Sequence, residues 1–286
     1  IAIVSLIAIT YWIYIGLQNN NNEIINLSEE NDNSDIIFQL IQKEASLVYD
    51  SIISVDYISY SDTTNFTNIL KNQNTHPITV DEILPYFTSE FLSISYNNTT
   101  LNNYKKYLKN IRNFNQWDSI NNSLVTLYNF NIMEFSSYIN EIGYFKLDSV
   151  TYFYLKSEEP YNIQSLLNII EDSISNNYCK KVSANHLFKL LLSEIFLQNV
   201  SYYTTNREYF IFSSDSIHLK GINSKELLKN NPIFLQYKNK QFSNYSLYYF
   251  FDKSKESDSL HHIISYQLRG EQNGVISNFK NFKIKR

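Results

Sequence analysis

The chain opens with an apolar run that carries no charge, Ile1 to Leu17, and this run constrains the fold more than any other feature. A helix needs about 20 apolar residues to cross a bilayer, with a lower limit of about 17. Tyr11, Trp12 and Tyr14 stand towards the end of the run, as expected for aromatic residues at a membrane interface. We therefore expect residues 1–18 to form a transmembrane anchor that enters the lipid bilayer through residues 1–17.

Two other interpretations of this run agree less well with the sequence. A secretory signal peptide ends in small residues before its cleavage point, and the stretch Gly16-Leu17-Gln18-Asn19 offers no good site of that kind. A buried core helix is the other possibility, but a terminal apolar run followed by a polar segment fits it poorly. An uncleaved anchor agrees better with both features.

The segment after the anchor predicts its direction. Cytoplasmic flanks of membrane helices are usually enriched in Lys and Arg. Residues 18–35 contain neither, and their charged residues are all acidic: Glu23, Glu29, Glu30, Asp32 and Asp35. We expect residues 19–35 to be a polar, acidic linker that holds the folded domain, residues 36–286, outside the cytoplasm, in the periplasm or at the cell surface.

The composition describes a folded domain with an unusual residue usage. Hydrophobic residues make up 43% of the 286 residues, which is enough for a core, and the net charge of -4 argues against a nucleic-acid partner. Asn, Ile, Lys and Tyr are frequent along the whole chain, which is typical of an AT-rich genome. Because the chain begins with Ile1 and not Met, we expect it to be a fragment of a longer protein.

The pattern of residues 36–286 predicts an α+β domain whose last third is mostly antiparallel strands. Two hairpins are expected, one turning at Thr205–Glu208 and one turning between Gly270 and Gly274. The strands expected in this third are Val200–Thr204, Tyr209–Ser213, Tyr245–Phe251, Leu260–Leu268 and Val275–Phe282, with a short helix at Lys225–Leu228.

A unit of strand, polar cap and helix recurs in the first two thirds. The sequence Ile-Ser-Tyr-x-x-Thr-Thr occurs at Ile58 and again at Ile94, which is either a weak duplication or an effect of codon bias. The predicted strands are Val55–Tyr60, Phe91–Tyr96 and Val150–Leu155. The predicted helices are Phe66–Lys71, capped at Asp62–Thr64; Leu101–Ile111, capped at Asn98–Thr100; several within Asn115–Tyr144; and one from Pro160 to Ser175. Residues 35–51 are predicted to be helical after a candidate N-cap at Ser34, with a strand at Ala45–Tyr49 as the alternative.

Sites for nucleotides and metals are not expected. Phosphate-binding loops need clustered glycines, and the five glycines are dispersed at Gly16, Gly143, Gly221, Gly270 and Gly274. The single cysteine, Cys179, excludes an internal disulfide and a multi-cysteine zinc site. None of the five histidines has a zinc-site spacing, and two consecutive ones on a strand would point to opposite faces: His76, His186, His218, His261 and His262. No cofactor and no metal is predicted.

Charged clusters are interpreted as solvent-facing. The carboxylate pairs Glu29-Glu30, Glu158-Glu159 and Glu171-Asp172 are expected in a linker, in a loop and on a polar helix face, so no catalytic residue is assigned. The most basic stretch has helical spacing and consists of Lys105, Lys106, Lys109 and Arg112. It could contact anionic lipid headgroups or an acidic partner. A solvated helix face is the simpler interpretation.

The order of the expected elements resembles the order found in a known group of proteins. The elements are a short anchor, a strand and helix at Val55–Lys71, a helical middle with a Trp at Asn115–Phe130, and the segments Tyr202–Ser214, Leu227–Phe234 and Asn273–Phe279. In this order they resemble uncharacterised, N-terminally anchored envelope proteins of AT-rich bacteria that share a domain of unknown function. The resemblance covers most of residues 45–286, and it implies no activity that could be assigned to a residue.

The sequence predicts a non-catalytic, membrane-anchored envelope protein that binds a protein partner or supports the envelope. The alternative is the sensing ectodomain of a larger signalling protein. An effector domain encoded before Ile1 would favour sensing, whereas a short basic tail would favour the first prediction.

Overall fold

The computed structural model describes residues 52–59, 66–73, 77, 79–172, 178–183, 187–192, 200–238, 244–252 and 260–285. The expected anchor (1–18), the expected linker (19–35), the helix predicted at 35–51 and the cap predicted at 62–64 lie outside these residues. Within the described part of the chain, no helix has the length and apolar character needed to cross a membrane.

In the described residues, ten strands form a single sheet in which every neighbouring pair is antiparallel. Their spatial order is β1-β10-β9-β8-β2-β3-β4-β7-β6-β5, so that the first strand of the sheet pairs with the last. The strands are β1 (Ile52–Ser59), β2 (Glu90–Ser95), β3 (Glu141–Leu147), β4 (Val150–Lys156), β5 (Lys180–Lys181), β6 (Tyr202–Asn206), β7 (Tyr209–Ser213), β8 (Leu247–Asp252), β9 (Leu260–Gly270) and β10 (Gly274–Lys285).

Helices are inserted between the strands. They are α1 (Asn98–Asn110), α2 (Phe114–Tyr128), α3 (Ile132–Ser137), α4 (Pro160–Ile169), α5 (Leu187–Leu192), α6 (Ser216–Leu219) and α7 (Pro232–Lys238), with 3-10 turns at Phe66–Leu70, Val80–Glu82, Ile222–Ser224 and Leu228–Asn230. The prediction of a mixed helix-and-sheet fold, with antiparallel strands in the last third, is confirmed. Both predicted hairpins are present, as β6–β7 and β9–β10.

Both faces of the central sheet are covered. Leu92 packs with α1 to α5 and the 3-10 turn Phe66–Leu70 on one side, called the helical face here, whereas Phe91 packs with α6, α7 and the other three 3-10 turns on the opposite face. Successive residues of a strand point to opposite faces. All six residues of β2 are therefore buried, and the strand shows no alternation of polar and apolar positions.

The helix α1 begins earlier than its predicted start at Leu101. The side chain of Asn97 accepts hydrogen bonds from the backbone N–H groups of Thr99, at 2.8 Å, and Thr100, at 3.1 Å. Thr100 Oγ1 accepts one in return from the Asn97 N–H, at 3.2 Å. This reciprocal capping box places Asn98 in the first turn, so the cap lies before the segment predicted for it.

The short helix α5 is buried, and two aromatic side chains satisfy carbonyls in its last turn. Trp117 Nε1 donates to the Leu190 carbonyl at 2.9 Å, and the Tyr96 hydroxyl donates to the Leu191 carbonyl at 3.0 Å. The last four carbonyls of a helix have no partner inside the helix. The two aromatic donors therefore let this end of α5 lie away from water.

Four of the segments predicted to be helical differ in extent or type from the structure. The helical region predicted at Asn115–Tyr144 ends at Ser137, because Asn140 and the strand β3 join the sheet beside β2 and β4. The helix from Pro160 ends at Ile169 and not at Ser175, because Glu171 forms a β-bridge with Val182. Phe66–Leu70 is a 3-10 turn, and the helix predicted at Lys225–Leu228 is replaced by a bridge between Leu227 and Pro85 followed by a 3-10 turn.

Candidate interaction surface

Those candidate metal ligands that lie in the described residues do not come together. His218 lies in α6 with Nδ1 3.3 Å from Ser213 Oγ, and His261 and His262 are consecutive residues of β9. Cys179 is buried, and this burial raises the pKa of its thiol. His76 and His186 lie outside the described residues. Across the described ranges, no three His, Cys, Asp or Glu residues are grouped closely enough to hold a metal ion.

The predicted carboxylate pairs have two different environments. Glu158 and Glu159 are exposed at the start of α4, as expected. Glu171 and Asp172 lie beyond the end of α4 and not on a helix face. Glu171 accepts from Lys180 Nζ and Asp172 accepts from Lys181 Nζ, each at 2.9 Å. These two acids are therefore paired with lysines of β5, whereas Glu29-Glu30 lies outside the described residues.

A buried carboxyl that the sequence analysis missed, Glu141, lies in β3 on the opposite face and is 4% exposed. Its Oε1 accepts from Ser93 Oγ and from the Tyr154 hydroxyl, each at 2.7 Å. The backbone N–H of Thr79 provides a further hydrogen bond. Burial raises the pKa of Glu141, although these hydrogen bonds and the nearby Lys156 ammonium act in the other direction.

The surroundings of Glu141 connect it to the protein surface. Lys156 Nζ donates to Thr79 Oγ1 at 2.9 Å, and Thr79 Oγ1 lies 2.6 Å from the Tyr209 hydroxyl. Lys156 Nζ is also 3.5 Å from Glu208, whose side chain is half exposed. Each of these polar groups contacts at least one other, so we interpret the cluster as a hydrogen-bonded network that joins β2, β3, β4 and the segment at Thr79.

A second buried carboxylate, Glu90, occupies the helical face of β2. Its Oε1 accepts from the Tyr144 hydroxyl at 2.7 Å, with the Tyr249 hydroxyl at 3.4 Å, and its Oε2 accepts from Lys146 Nζ at 2.7 Å. The Glu90 side chain is 3% exposed and the Lys146 side chain is 32% exposed. Burial and the neighbouring Glu90 raise the pKa of Tyr144. Like Glu141, Glu90 is held by neighbouring strands.

An accessible charged feature of the described residues is the basic stretch at α1. Lys106, Lys109 and Arg112 are exposed and Lys105 is half-buried. These four residues are called the basic surface here. Arg112 follows the last turn of α1 and has a left-handed backbone, with φ of 61°, in the short connection to α2. The sequence prediction gave these cations helical spacing, and the structure places Lys105, Lys106 and Lys109 on α1 and Arg112 just beyond its end.

Aromatic rings of α2 support the basic surface. Lys105 Nζ lies 4.8 Å from the centre of the Trp117 ring, and Lys109 Nζ lies 4.7 Å from that of Phe114. The Phe114 and Trp117 rings stack on each other at 5.5 Å. The hydrogen bond from Trp117 to the Leu190 carbonyl fixes the position of the Trp117 ring. The two stacked rings therefore hold the two ammonium groups in place through cation–π contacts.

The charge of the basic surface is not neutralised by carboxylates of the described chain. None of the ion pairs between described residues includes Lys105, Lys106, Lys109 or Arg112. The sequence between Glu90 and Asp118 contains no Asp and no Glu. The basic surface therefore presents a local excess of positive charge on a protein whose net charge is negative.

Comparison of the chain with protein-family models, with characterised proteins and with solved structures gave no match. The resemblance to anchored envelope proteins accordingly stays a prediction from the sequence.

Proposed function

We propose that this protein is a non-catalytic, membrane-anchored component of the cell envelope whose folded domain lies outside the cytoplasm and binds a partner there. One observation carries the proposal. The apolar run Ile1 to Leu17 is followed, up to Asp35, by a segment with five acidic residues and no Lys or Arg. This asymmetry is typical of a helix whose C-terminal side is not cytoplasmic.

The arrangement of charged groups supports a binding role. Glu90 and Glu141, the two carboxyl groups most removed from water in the networks above, are engaged by donors from neighbouring strands. Lys106, Lys109 and Arg112 of the basic surface, in contrast, are exposed. A domain whose buried polar groups hold the sheet together, and which carries a group of exposed cations at one helix, is suited to surface contacts.

Cysteine labelling in cells tests the topology. Cys179 is buried and is the single cysteine of the chain, so Cys179→Ser gives a background without thiols. Ser214 is exposed after β7. We expect Ser214→Cys in this background to react with a membrane-impermeant maleimide in intact spheroplasts. The same variant without residues 1–17 is the control, and it should react only after lysis.

Labelling of Ser214→Cys only after lysis, with residues 1–17 present, would contradict the proposed topology. The alternative of a sensing ectodomain predicts the same labelling. The coding sequence upstream of Ile1 separates the two, because sensing requires an effector domain on the other side of the membrane.

A further inference from the structure

We propose that the basic surface, Lys105, Lys106, Lys109 and Arg112, docks the domain on the anionic lipid headgroups of the membrane that holds its anchor. This inference rests on the proposed function, because the anchor brings the domain to the bilayer. It adds a second point of attachment, located on the folded domain itself.

The first argument is charge. Attraction between a basic segment and anionic lipids requires cations that are not already paired with carboxylates. Lys105 and Lys109 lie against aromatic rings, which attract a cation but carry no net charge. Their positive charge is thus held in place and remains available to an outside anion.

The second argument concerns the position of the cations on α1. Lys109 and Arg112 stand at the C-terminal end of the helix, where the helix dipole favours a cation. Lys105 and Lys106 lie a full turn earlier, beyond the range in which that dipole acts. Stabilisation of the helix through its dipole therefore accounts for Lys109 and Arg112 but not for Lys105 and Lys106.

The third argument separates a lipid surface from a protein partner. Protein interfaces are organised around buried aromatic or aliphatic anchors. None of the large hydrophobic side chains that are exposed in the described residues lies between Lys105 and Trp117 in the sequence: Phe87, Val125, Leu127, Tyr161, Ile169, Tyr178, Ile217 and Leu235. A surface of cations and exposed polar groups without such an anchor fits a layer of charged headgroups better.

The distance from the anchor allows this docking. The linker expected at residues 19–35 would span on the order of 60 Å if fully extended, at about 3.3–3.6 Å for each residue. A tether of that reach would let more than one side of the domain face the bilayer. The orientation of the docked domain is then decided by charge, and the basic surface is the side that anionic headgroups attract.

The test uses the full chain with Cys179→Ser, inserted in nanodiscs of phosphatidylcholine alone or mixed with phosphatidylglycerol. A fluorescent donor is placed on Asn113→Cys, in the exposed connection beside Arg112, and acceptors are placed on the headgroups. We expect energy transfer to be higher in the anionic discs and to decrease in high salt. A donor on Asn230→Cys, which belongs to the segments of the opposite face, should not show this increase.

Two charge-matched variants locate the contact. Lys106→Gln with Arg112→Gln should lower the ratio of docked to undocked domain about 25-fold, since each cation near an anionic membrane contributes roughly a fivefold effect. Lys220→Gln with Lys229→Gln removes the same charge from exposed positions in the segments of the opposite face and should change nothing.

Equal transfer in neutral and anionic discs, or an equal loss in both variants, would overturn the docking and leave an acidic protein as the partner to seek. A chain that does not enter the discs would overturn the anchor, and the docking proposal with it. The two failures are distinguished by whether the chain co-purifies with the discs.

Discussion

The hydroxyl of Tyr154 donates a hydrogen bond of 2.7 Å to Glu141, although Tyr154 lies two residues before the residue of β4 that pairs with Glu141. Tyr154 stands opposite Gly143 on the neighbouring strand, and Glu141 stands opposite Lys156. Because Gly143 has no side chain, the Tyr154 ring can lie against its Cα, where an added Cβ would be 2.8 Å from the ring. Ser93 also lies opposite Gly143, on the other side, and donates to the same carboxyl oxygen.

The stability of the protein is expected to depend on pH through Glu141. Since burial raises its pKa in the folded state, the folded protein holds this proton more tightly than the unfolded chain does. The resulting stabilisation is complete below the ordinary carboxyl pKa of 4.5 and is lost as the pH rises through the higher folded value. The free energy of unfolding, measured by urea titration over this range, should fall for the wild type and stay flatter for Glu141→Gln.

Glu158→Gln is the matched control, because Glu158 is an exposed carboxyl at the start of α4. It should follow the wild-type dependence on pH. If Glu141→Gln also followed it, Glu141 would not hold its proton in the way that its burial implies.

Gly143→Ala should destabilise the protein by about 3 kcal/mol, the upper part of the usual range for overpacking. An added Cβ would lie 2.0 Å from the Leu92 carbonyl oxygen, and this backbone atom can move only if the strand moves. Ser93→Ala, at the residue of β2 that pairs with Gly143, removes a hydroxyl group and introduces no added atom. It should therefore cost only about 1 kcal/mol. Thermal unfolding of both variants would show the difference, and equal losses would contradict the steric argument.

Lys146→Met should destabilise the protein by roughly 2 kcal/mol, because it leaves the buried Glu90 carboxylate without its cation. Glu90→Gln combined with Lys146→Met should recover most of this loss in a double-mutant cycle. Lys181→Met removes a lysine from the Asp172 pair, in which each side chain is about one third exposed, and should cost much less because the pair is screened by solvent. Additive effects of the two changes at Glu90 and Lys146 would show that this pair is not coupled.

Tyr96→Phe should cost about 1–2 kcal/mol, because it leaves the Leu191 carbonyl in the last turn of α5 without its donor. Tyr161→Phe makes the same chemical change on a side chain that is 83% exposed, and should have no measurable effect. Urea unfolding followed by circular dichroism compares the two. A similar stability for both variants would mean that another group, or water, replaces the Tyr96 hydroxyl.

The hairpins could be predicted because their turns are encoded locally. Thr205–Glu208 and Gly270–Gly274 bring strands together that are close in the sequence, and the structure pairs them as expected. The strand β3 was missed for a different reason. It is buried on both faces, so Glu141 to Leu147 shows no alternation of polar and apolar residues, and it follows a segment with clear helical spacing.

The buried carboxyl groups could not be found in the sequence because their partners are distant. Ser93 precedes Glu141 by 48 residues, and Tyr249 follows Glu90 by 159. A single Glu in a strand is usually expected to face solvent, and only the packing of both sheet faces shows otherwise. The four cations of the basic surface could be recognised in the sequence. Their contacts with the aromatic rings could not, because these contacts depend on how α1 packs against α2.

The pairing of β1 with β10 has a consequence for how the protein is made. Ile52 lies opposite Asn281, so one edge of the sheet joins residues that a ribosome supplies at opposite ends of this domain. Synthesis proceeds at about 5–20 residues per second, so β1 is made on the order of ten seconds or more before β10, the strand with which it pairs. During that interval its unpaired backbone can form hydrogen bonds with other chains. We expect aggregation during synthesis to increase when translation slows between β1 and β10, although the finished protein would be unchanged.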